Sequence, residues 1–147
     1  MVTPIQIVNL INIIQNEGYT ISPHLNKNNN SKKNVIKYDK KVWKIIKQSM
    51  YDAVNKDKGT AYKAKINKKG AKVYGKTGTA QVISKDSRDY GYGKYKNHGW
   101  FTSYYPYDKP KIVISVFVEH GDSGGRAGGP IIKKVVNYYK ANYMTNE

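Results

Sequence analysis

Several residue types and patterns are missing from this sequence. It contains no cysteine, so disulfide bonds and thiolate metal sites are excluded. Its histidines, His24, His98 and His120, are far apart along the chain, and we expect no metal site built from them. No apolar run approaches the roughly 20 residues of a membrane-spanning helix. The longest apolar stretch, Ile112–Val118, is typical of a buried strand, and no signal-peptide pattern opens the chain.

Acidic residues and arginine are also scarce. The net charge of +16 arises from 26 lysines and arginines against 10 acidic residues, and only Arg88 and Arg126 are arginines. Specific nucleic-acid readers depend on arginine for bidentate contacts with bases. The lysines are spread along the chain, which favours a solvated surface charge. A lysine-rich nucleic-acid or anionic-surface binding module stays open as an alternative, and its affinity would fall steeply with salt.

The hydrophobic pattern predicts helices at both ends of a short run of strands. Thr3, Pro4 and Gln6 together indicate a helix start with a capping box. The apolar residues that follow cover nearly every face, so we expect this helix to be buried on more than one side. A second helix is predicted from about Asp39 to Asn55, and Pro130 is expected to open the last one.

Between the second and the last helix, the sequence predicts three strands with short links, which favour antiparallel pairing. These strands are Val73–Val82, Trp100–Tyr105 and Lys111–Glu119. We expect loops in the segments that are polar or rich in glycine, namely Asn26–Asn34, Asp86–Asn97 and Gly121–Gly129, the last of them flexible.

Two short motifs indicate chemistry that their surroundings do not favour. Gly70–Thr77 matches the P-loop pattern, but a P-loop must be followed by a helix, and the residues after Thr77 favour a strand. A P-loop-like nucleotide-binding protein therefore remains only an alternative. Gly121–Gly125 matches the string around the nucleophile of chymotrypsin-like proteases, whose triad needs a β fold that this chain lacks. A glycine-rich loop explains that string better.

The octet Gly75–Val82 contains Lys-Thr-Gly on a predicted strand. Lys76 would supply a fixed positive charge, and Thr77 and Thr79 point to one face of the strand because side chains alternate. Their hydroxyls could hold a substrate carboxylate. Gly78 would let the substrate approach, and the Thr79 N–H could stabilise a tetrahedral oxyanion. The octet therefore suits acyl transfer.

Lys-Thr-Gly is a signature of β-lactamases and penicillin-binding proteins. Further segments, in the order of that family, resemble class B penicillin-binding proteins of the elongation type. Thr3–Gln6 is similar to the Thr-Pro-x-Gln that opens a helix there, and Gly59–Ala61 is similar to a recurrent Gly-Thr-Ala. The segment His98–Phe101, together with Tyr105–Pro106, resembles the next strand of that family. Val118–Gly121 and the glycine loop to Gly129–Pro130 resemble its ending and the last helix.

The resemblance implies an α+β fold, in which residues 1–147 form one partial domain. This would be the C-terminal part of a penicillin-binding/β-lactamase-like transpeptidase domain, with about three antiparallel strands and flanking helices. Implied ligands are the D-Ala-D-Ala end of a peptidoglycan stem peptide and β-lactams, without cofactor, metal or nucleic acid. Lys76 and Thr77 would then be catalytic; Thr77, Gly78 and Thr79 would bind substrate; and Thr79 would add the oxyanion donor.

One departure from the family concerns the nucleophile. No serine in this sequence has lysine three residues later or asparagine two residues later, so the Ser-x-x-Lys and Ser-x-Asn motifs are absent. Without an activated nucleophile the covalent route is closed. We therefore expect a fragment or split product that is inactive alone, with an upstream chain completing the domain.

The same resemblance predicts an uncovered sheet edge and an unpartnered first helix, which favour association. It places the full-length protein at the periplasmic or outer face of a bacterial membrane, held by an anchor that we do not find in these residues.

Overall fold

The computed structural model describes residues 2–26, 33–67 and 72–144. The elements in chain order are α1 (Pro4–Gln15), β1 (Tyr19–Ile21), β2 (Lys33–Val35), α2 (Lys40–Asn55), β3 (Tyr74–Ala80), β4 (His98–Tyr105), β5 (Ile112–Val118) and α3 (Gly124–Tyr143). Single 3-10 turns lie at Tyr62–Ala64 and Gly93–Tyr95. The predicted α+β class is confirmed. Among the described residues, no helix is long and apolar enough to cross a membrane.

The predicted helix starts of α1 and α2 are confirmed by their caps. The Thr3 side chain and the Gln6 side chain each bond to the other residue's backbone N–H, which forms the expected capping box. Asp39 lies just before α2, and its carboxylate accepts a hydrogen bond from the Lys41 N–H at 2.7 Å. These contacts satisfy N–H groups that have no partner inside the helix.

The main sheet has the order β3-β4-β5, and both pairs are antiparallel. A second, two-stranded sheet pairs β1 with β2, and the sequence pattern did not predict it. The predicted Asn26–Asn34 loop is therefore wrong at its end, because Lys33 and Asn34 belong to β2. Residues 27–32 of that loop lie outside the described residues. Strands of three residues are too short to show a period of two in the sequence.

Helices cover both faces of the main sheet. On one face, Phe101 and Tyr105 of β4 pack against Ile132 and Val136 of α3, and all four side chains are almost completely buried. On the other face lies a second cluster with contributions from α1, α2, β3 and β4, formed by Ile11, Met50, Tyr74 and Tyr104. Burying such side chains stabilises the fold by roughly 1.5–3 kcal/mol each.

The glycine-rich segment from Gly124 to Pro130 is helical, so the flexible loop predicted at Gly121–Gly129 is wrong for Gly124–Gly129, while Gly121–Ser123 lie in a loop. α3 begins at Gly124, after Ser123 as its cap, and Pro130 lies inside the helix. An added Cβ at Gly128 would lie 2.8 Å from the Phe101 Cβ. Tight packing against the sheet therefore selects glycine here and outweighs the low helix propensity of glycine.

The first helix is buried on one side only, contrary to the expectation of burial on several sides. Ile11 is buried, whereas Ile5 and Leu10 are 54% and 50% exposed. Within the described residues, α1 contacts the sheet, α2 and β1 but leaves an apolar face uncovered. That exposed face supports the predicted tendency to associate, which stays a prediction.

Candidate active site

The Lys-Thr-Gly octet lies on β3, at an edge of the main sheet. Residues 74–80 pair with β4, and no described strand pairs with the other side of β3. Lys76 lies opposite Thr102, and Gly78 lies opposite Trp100. The strand therefore presents its functional residues along an open edge, and residues 81 and 82 of the octet fall just beyond it.

Lys76 borders a cavity of about 360 Å³ between β3 and α1. The N-terminal segment supplies an apolar wall, and the sheet supplies the rest of the lining. The lining residues are Val2, Ile7, Leu10, Ile11, Lys76, Thr77, Gly78, Thr79, Ala80, Trp100 and Thr102. The predicted residues Lys76, Thr77, Gly78 and Thr79 thus meet at one cleft. Sequence reasoning missed Trp100 and Thr102, because only the β3–β4 register brings them beside Lys76.

The backbone N–H and C=O groups of β3 point alternately toward β4 and toward the open edge of the sheet. An added Cβ at Gly124 would lie 2.7 Å from the Gly78 carbonyl oxygen and 1.8 Å from that of Trp100. The carbonyl oxygens of this opposed pair are therefore close together, as in a hydrogen-bonded antiparallel pair. Because consecutive residues alternate, the N–H and C=O groups of Thr77 and Thr79 are directed to the open edge.

A hydrogen bond of Lys76 is consistent with a Thr77 carbonyl group that is directed to the open edge of β3. Lys76 Nζ donates a hydrogen bond to the Thr77 carbonyl oxygen at 2.6 Å, so the ammonium group lies at the open edge of the strand. It lies on the side of β3 that also carries the Thr79 N–H. A positive charge and a backbone donor directed away from β4, side by side, are suited to a developing oxyanion.

The two threonines lie on the face of β3 opposite to Lys76 and Gly78. Thr77 is half-buried and Thr79 is exposed. The Thr77 hydroxyl donates a hydrogen bond to the hydroxyl of Thr60, with 3.3 Å between the oxygens. Thr60 comes from the turn after α2, and the spacing of the Lys-Thr-Gly octet gave no signal that it would lie here.

The two glycines of β3 differ in how much space surrounds them. At Gly75 an added Cβ would lie 2.5 Å from the Phe101 ring, so packing against β4 demands glycine. At Gly78 it would lie 3.2 Å from the Trp100 Cβ, on the cleft side. The clearance predicted for Gly78 is therefore limited by Trp100, whose ring also contacts that of Phe117 in a tilted arrangement, with 4.6 Å between ring centroids.

The fold explains both misleading motifs. Thr77 continues into strand residues 78–80, so no helix N-terminus follows the P-loop pattern. Gly70 and Ala71 of that pattern lie outside the described residues. Ser123 of the protease-like string caps α3, where its hydroxyl accepts a hydrogen bond from the Arg126 N–H at 3.5 Å.

No group of three or more histidine, aspartate or glutamate side chains in residues 2–26, 33–67 and 72–144 is placed to hold a metal ion. The residues with polar side-chain groups that line the cleft are Lys76, Thr77, Thr79, Trp100 and Thr102. These groups can act on a ligand through charge and hydrogen bonding.

Comparison with known proteins gives a consistent result. Residues 1–137 match the penicillin binding protein transpeptidase domain. The peptidoglycan D,D-transpeptidase MrdA of Haemophilus influenzae is 34% identical over 93% of this chain, and that of Salmonella typhimurium LT2 is 31% identical over 92%. The chain spans only 23% and 24% of these relatives. The solved complex of penicillin-binding protein PBP2 with MreC from Helicobacter pylori matches 96% of this chain and 25% of the solved chain, with 31% identity and a TM-score of 0.76.

Proposed function

Because the chain belongs to the penicillin-binding protein transpeptidase family, we propose that it forms the Lys-Thr-Gly side of a peptidoglycan D,D-transpeptidase active site. The substrate is a stem peptide ending in D-Ala-D-Ala. The single observation that carries the proposal is the open edge of β3, where the Lys76 ammonium lies on the side that carries the Thr79 N–H, beside a cleft lined by Thr77, Gly78 and Thr79.

The reaction assigned to this site is a two-step acyl transfer. A serine oxygen attacks the carbonyl carbon of the penultimate D-Ala, the C–N bond to the last D-Ala breaks, and an ester forms on the serine. An amine from a neighbouring stem peptide then attacks the ester, forms the cross-linking amide and releases the serine. Both steps pass through a tetrahedral intermediate whose negative oxygen needs a fixed donor.

The described residues take separate parts in these steps. The Thr79 N–H donates to the oxyanion, and Lys76 lowers the energy of that negative charge and assists proton transfer. The hydroxyls of Thr77 and Thr79 bind the substrate's terminal carboxylate. Gly78 keeps the cleft side of the strand free of a side chain, so that the substrate backbone can lie along the edge of β3.

The nucleophile in this proposal comes from outside the chain, because the sequence contains no Ser-x-x-Lys. An upstream polypeptide that carries the nucleophile would approach the cavity between β3 and α1, where an apolar wall stands beside Lys76. We propose that the chain alone is inactive, and that the completed domain reacts with β-lactams at the same serine. As part of such a protein, the chain works at the extracytoplasmic face of a bacterial membrane.

Intact-mass spectrometry with a labelled penicillin tests this proposal. The samples are the chain alone, and the chain mixed with an upstream polypeptide that carries Ser-x-x-Lys and Ser-x-Asn. We expect a covalent adduct only in the mixture and only on the upstream polypeptide. Lys76→Gln should slow its formation by about 100-fold or more, and Lys85→Gln, on the loop after β3, serves as the matched control.

Two outcomes would contradict the proposal. An adduct on the chain alone would show that a nucleophile exists within residues 1–147. No adduct in a mixture whose components bind each other would show that this chain does not complete a transpeptidase.

A further inference from the structure

Thr60 lies beside the Lys-Thr-Gly strand without being part of it. Its hydroxyl oxygen is 3.3 Å from that of Thr77, and Thr60 is exposed to solvent. In the described residues, this is the hydrogen bond that links the turn after α2 to a threonine of β3. The contact joins two segments that are 17 residues apart in sequence.

The backbone around Thr60 is held by two neighbouring helices, α2 and α3. The Ala61 N–H donates to the Ala53 carbonyl of α2 at 2.8 Å, and Ala61 is buried. The N-terminus of α3 presses on the other side, since an added Cβ at Gly125 would lie 1.8 Å from the Thr60 carbonyl oxygen. The same Cβ would lie 3.3 Å from Thr77 Cγ2. Thr60 therefore presents its hydroxyl to Thr77 from a rigid position.

Two hydroxyls in contact can reverse the direction of their hydrogen bond, because each has one proton and two acceptor lone pairs. In the structure, the Thr77 hydroxyl donates to that of Thr60. When a carboxylate occupies the face of Thr77 and Thr79, the Thr60 hydroxyl can donate to Thr77, and the Thr77 proton becomes available to the carboxylate. A chain of hydrogen bonds that ends on an anion strengthens each member.

From this geometry we propose that Thr60 is a positioning residue for the Thr77 hydroxyl and thereby increases the affinity of the site for ligands with a free carboxylate. The inference rests on the proposed function, in which Thr77 binds the terminal carboxylate. Thr60 acts through Thr77 and does not itself contact the ligand. A single neutral hydrogen bond of this kind corresponds to about a three- to tenfold effect on the rate of acylation at low ligand concentration.

Two variants and two ligands test the role in the domain completed by the upstream polypeptide. Thr60→Val removes the hydroxyl and keeps the shape, and Thr60→Ser keeps the hydroxyl. The ligands are a penicillin and its methyl ester, which lacks the anionic carboxylate. We expect Thr60→Val to slow acylation by the penicillin about three- to tenfold, through weaker binding rather than a slower chemical step. Thr60→Ser should restore most of the rate, and acylation by the ester should be unchanged.

A merely structural role would give a different pattern. If Thr60→Val slows the penicillin and its ester equally, the hydroxyl supports the fold and the proposal is wrong. Equal rates for the wild type and Thr60→Val with both ligands would overturn it as well. Failure of the unsubstituted domain to form any adduct would instead refute the proposed transpeptidase function, and the role of Thr60 with it.

Discussion

Gly125→Ala is the most direct test of how closely α3 packs against the Thr60 turn. Gly125 is the second residue of α3, and a Cβ added there would lie 1.8 Å from the Thr60 carbonyl oxygen. Real Cβ atoms essentially never approach another heavy atom within 3.0 Å, so α3 and the Thr60 turn must separate by about 1.2 Å. Both partners are backbone, and no flexible side chain can relieve the contact.

The expected cost follows from that overlap. Overpacking of this kind destabilises a protein by about 1–3 kcal/mol, and we expect a value of about 2–3 kcal/mol because backbone must move. For a chain of this size the melting temperature should fall by about 4–12 °C. Thermal unfolding followed by circular dichroism, with urea unfolding as a second measurement, would give both quantities.

Gly129→Ala is the matched control on the same helix. Its added Cβ would lie 3.2 Å from the Lys63 Cβ and 3.3 Å from the Ala64 nitrogen, so a shift of a few tenths of an ångström suffices. The gain in helix propensity, about 0.8–1 kcal/mol, should offset that strain. Equal melting temperatures for the two variants would refute the close packing of Gly125 against the Thr60 carbonyl oxygen. They would favour the flexible glycine loop that the sequence predicted.

Two further predictions concern β3 and the tyrosine cluster behind it. Asn55→Leu removes the side-chain amide that donates to the Val73 carbonyl oxygen at 2.8 Å. Because a buried acceptor then loses its partner, the free energy of unfolding measured in urea should fall by about 1–3 kcal/mol. An unchanged urea midpoint would count against that contact. Burial raises the pKa values of Tyr74 and Tyr104 above the ordinary 10.0. The contribution of these two tyrosines to the free energy of unfolding should therefore be fully present below pH 10 and should be lost progressively above it, because the unfolded chain loses these protons first. The decline measured between pH 9 and pH 11 should be smaller in Tyr74→Phe, and an equal decline would contradict the assignment.

Much of the fold was predictable from local patterns. The capping residues Thr3 and Asp39 mark the starts of α1 and α2, and apolar and β-branched runs mark the three strands of the main sheet. These signals work because helix ends and strand periods depend on residues that are close in sequence. The hairpin of β1 and β2 gave no such signal, since three-residue strands are held by pairing alone.

The glycine segment before Pro130 shows where local reasoning is misleading. Glycine has low helix propensity, and several glycines before a proline indicate a loop followed by a helix start. The backbone of Gly124 and Gly125 instead lies against the carbonyl oxygens of Trp100 and Thr60, where no side chain fits. The requirement comes from residues far away in sequence, so no local pattern reveals it.

The sequence by itself determined the identity of the chemical groups on β3 and their order, because alternation along a strand separates Lys76 and Gly78 from Thr77 and Thr79. It also excluded a Ser-x-x-Lys nucleophile within the chain. Only the tertiary structure decided that β3 lies at the edge of the sheet formed by the described strands and that Thr60 contacts Thr77. It also decided that an apolar wall from α1 stands beside Lys76. These features depend on packing between segments distant in the chain, whereas a sequence pattern reports only on neighbours.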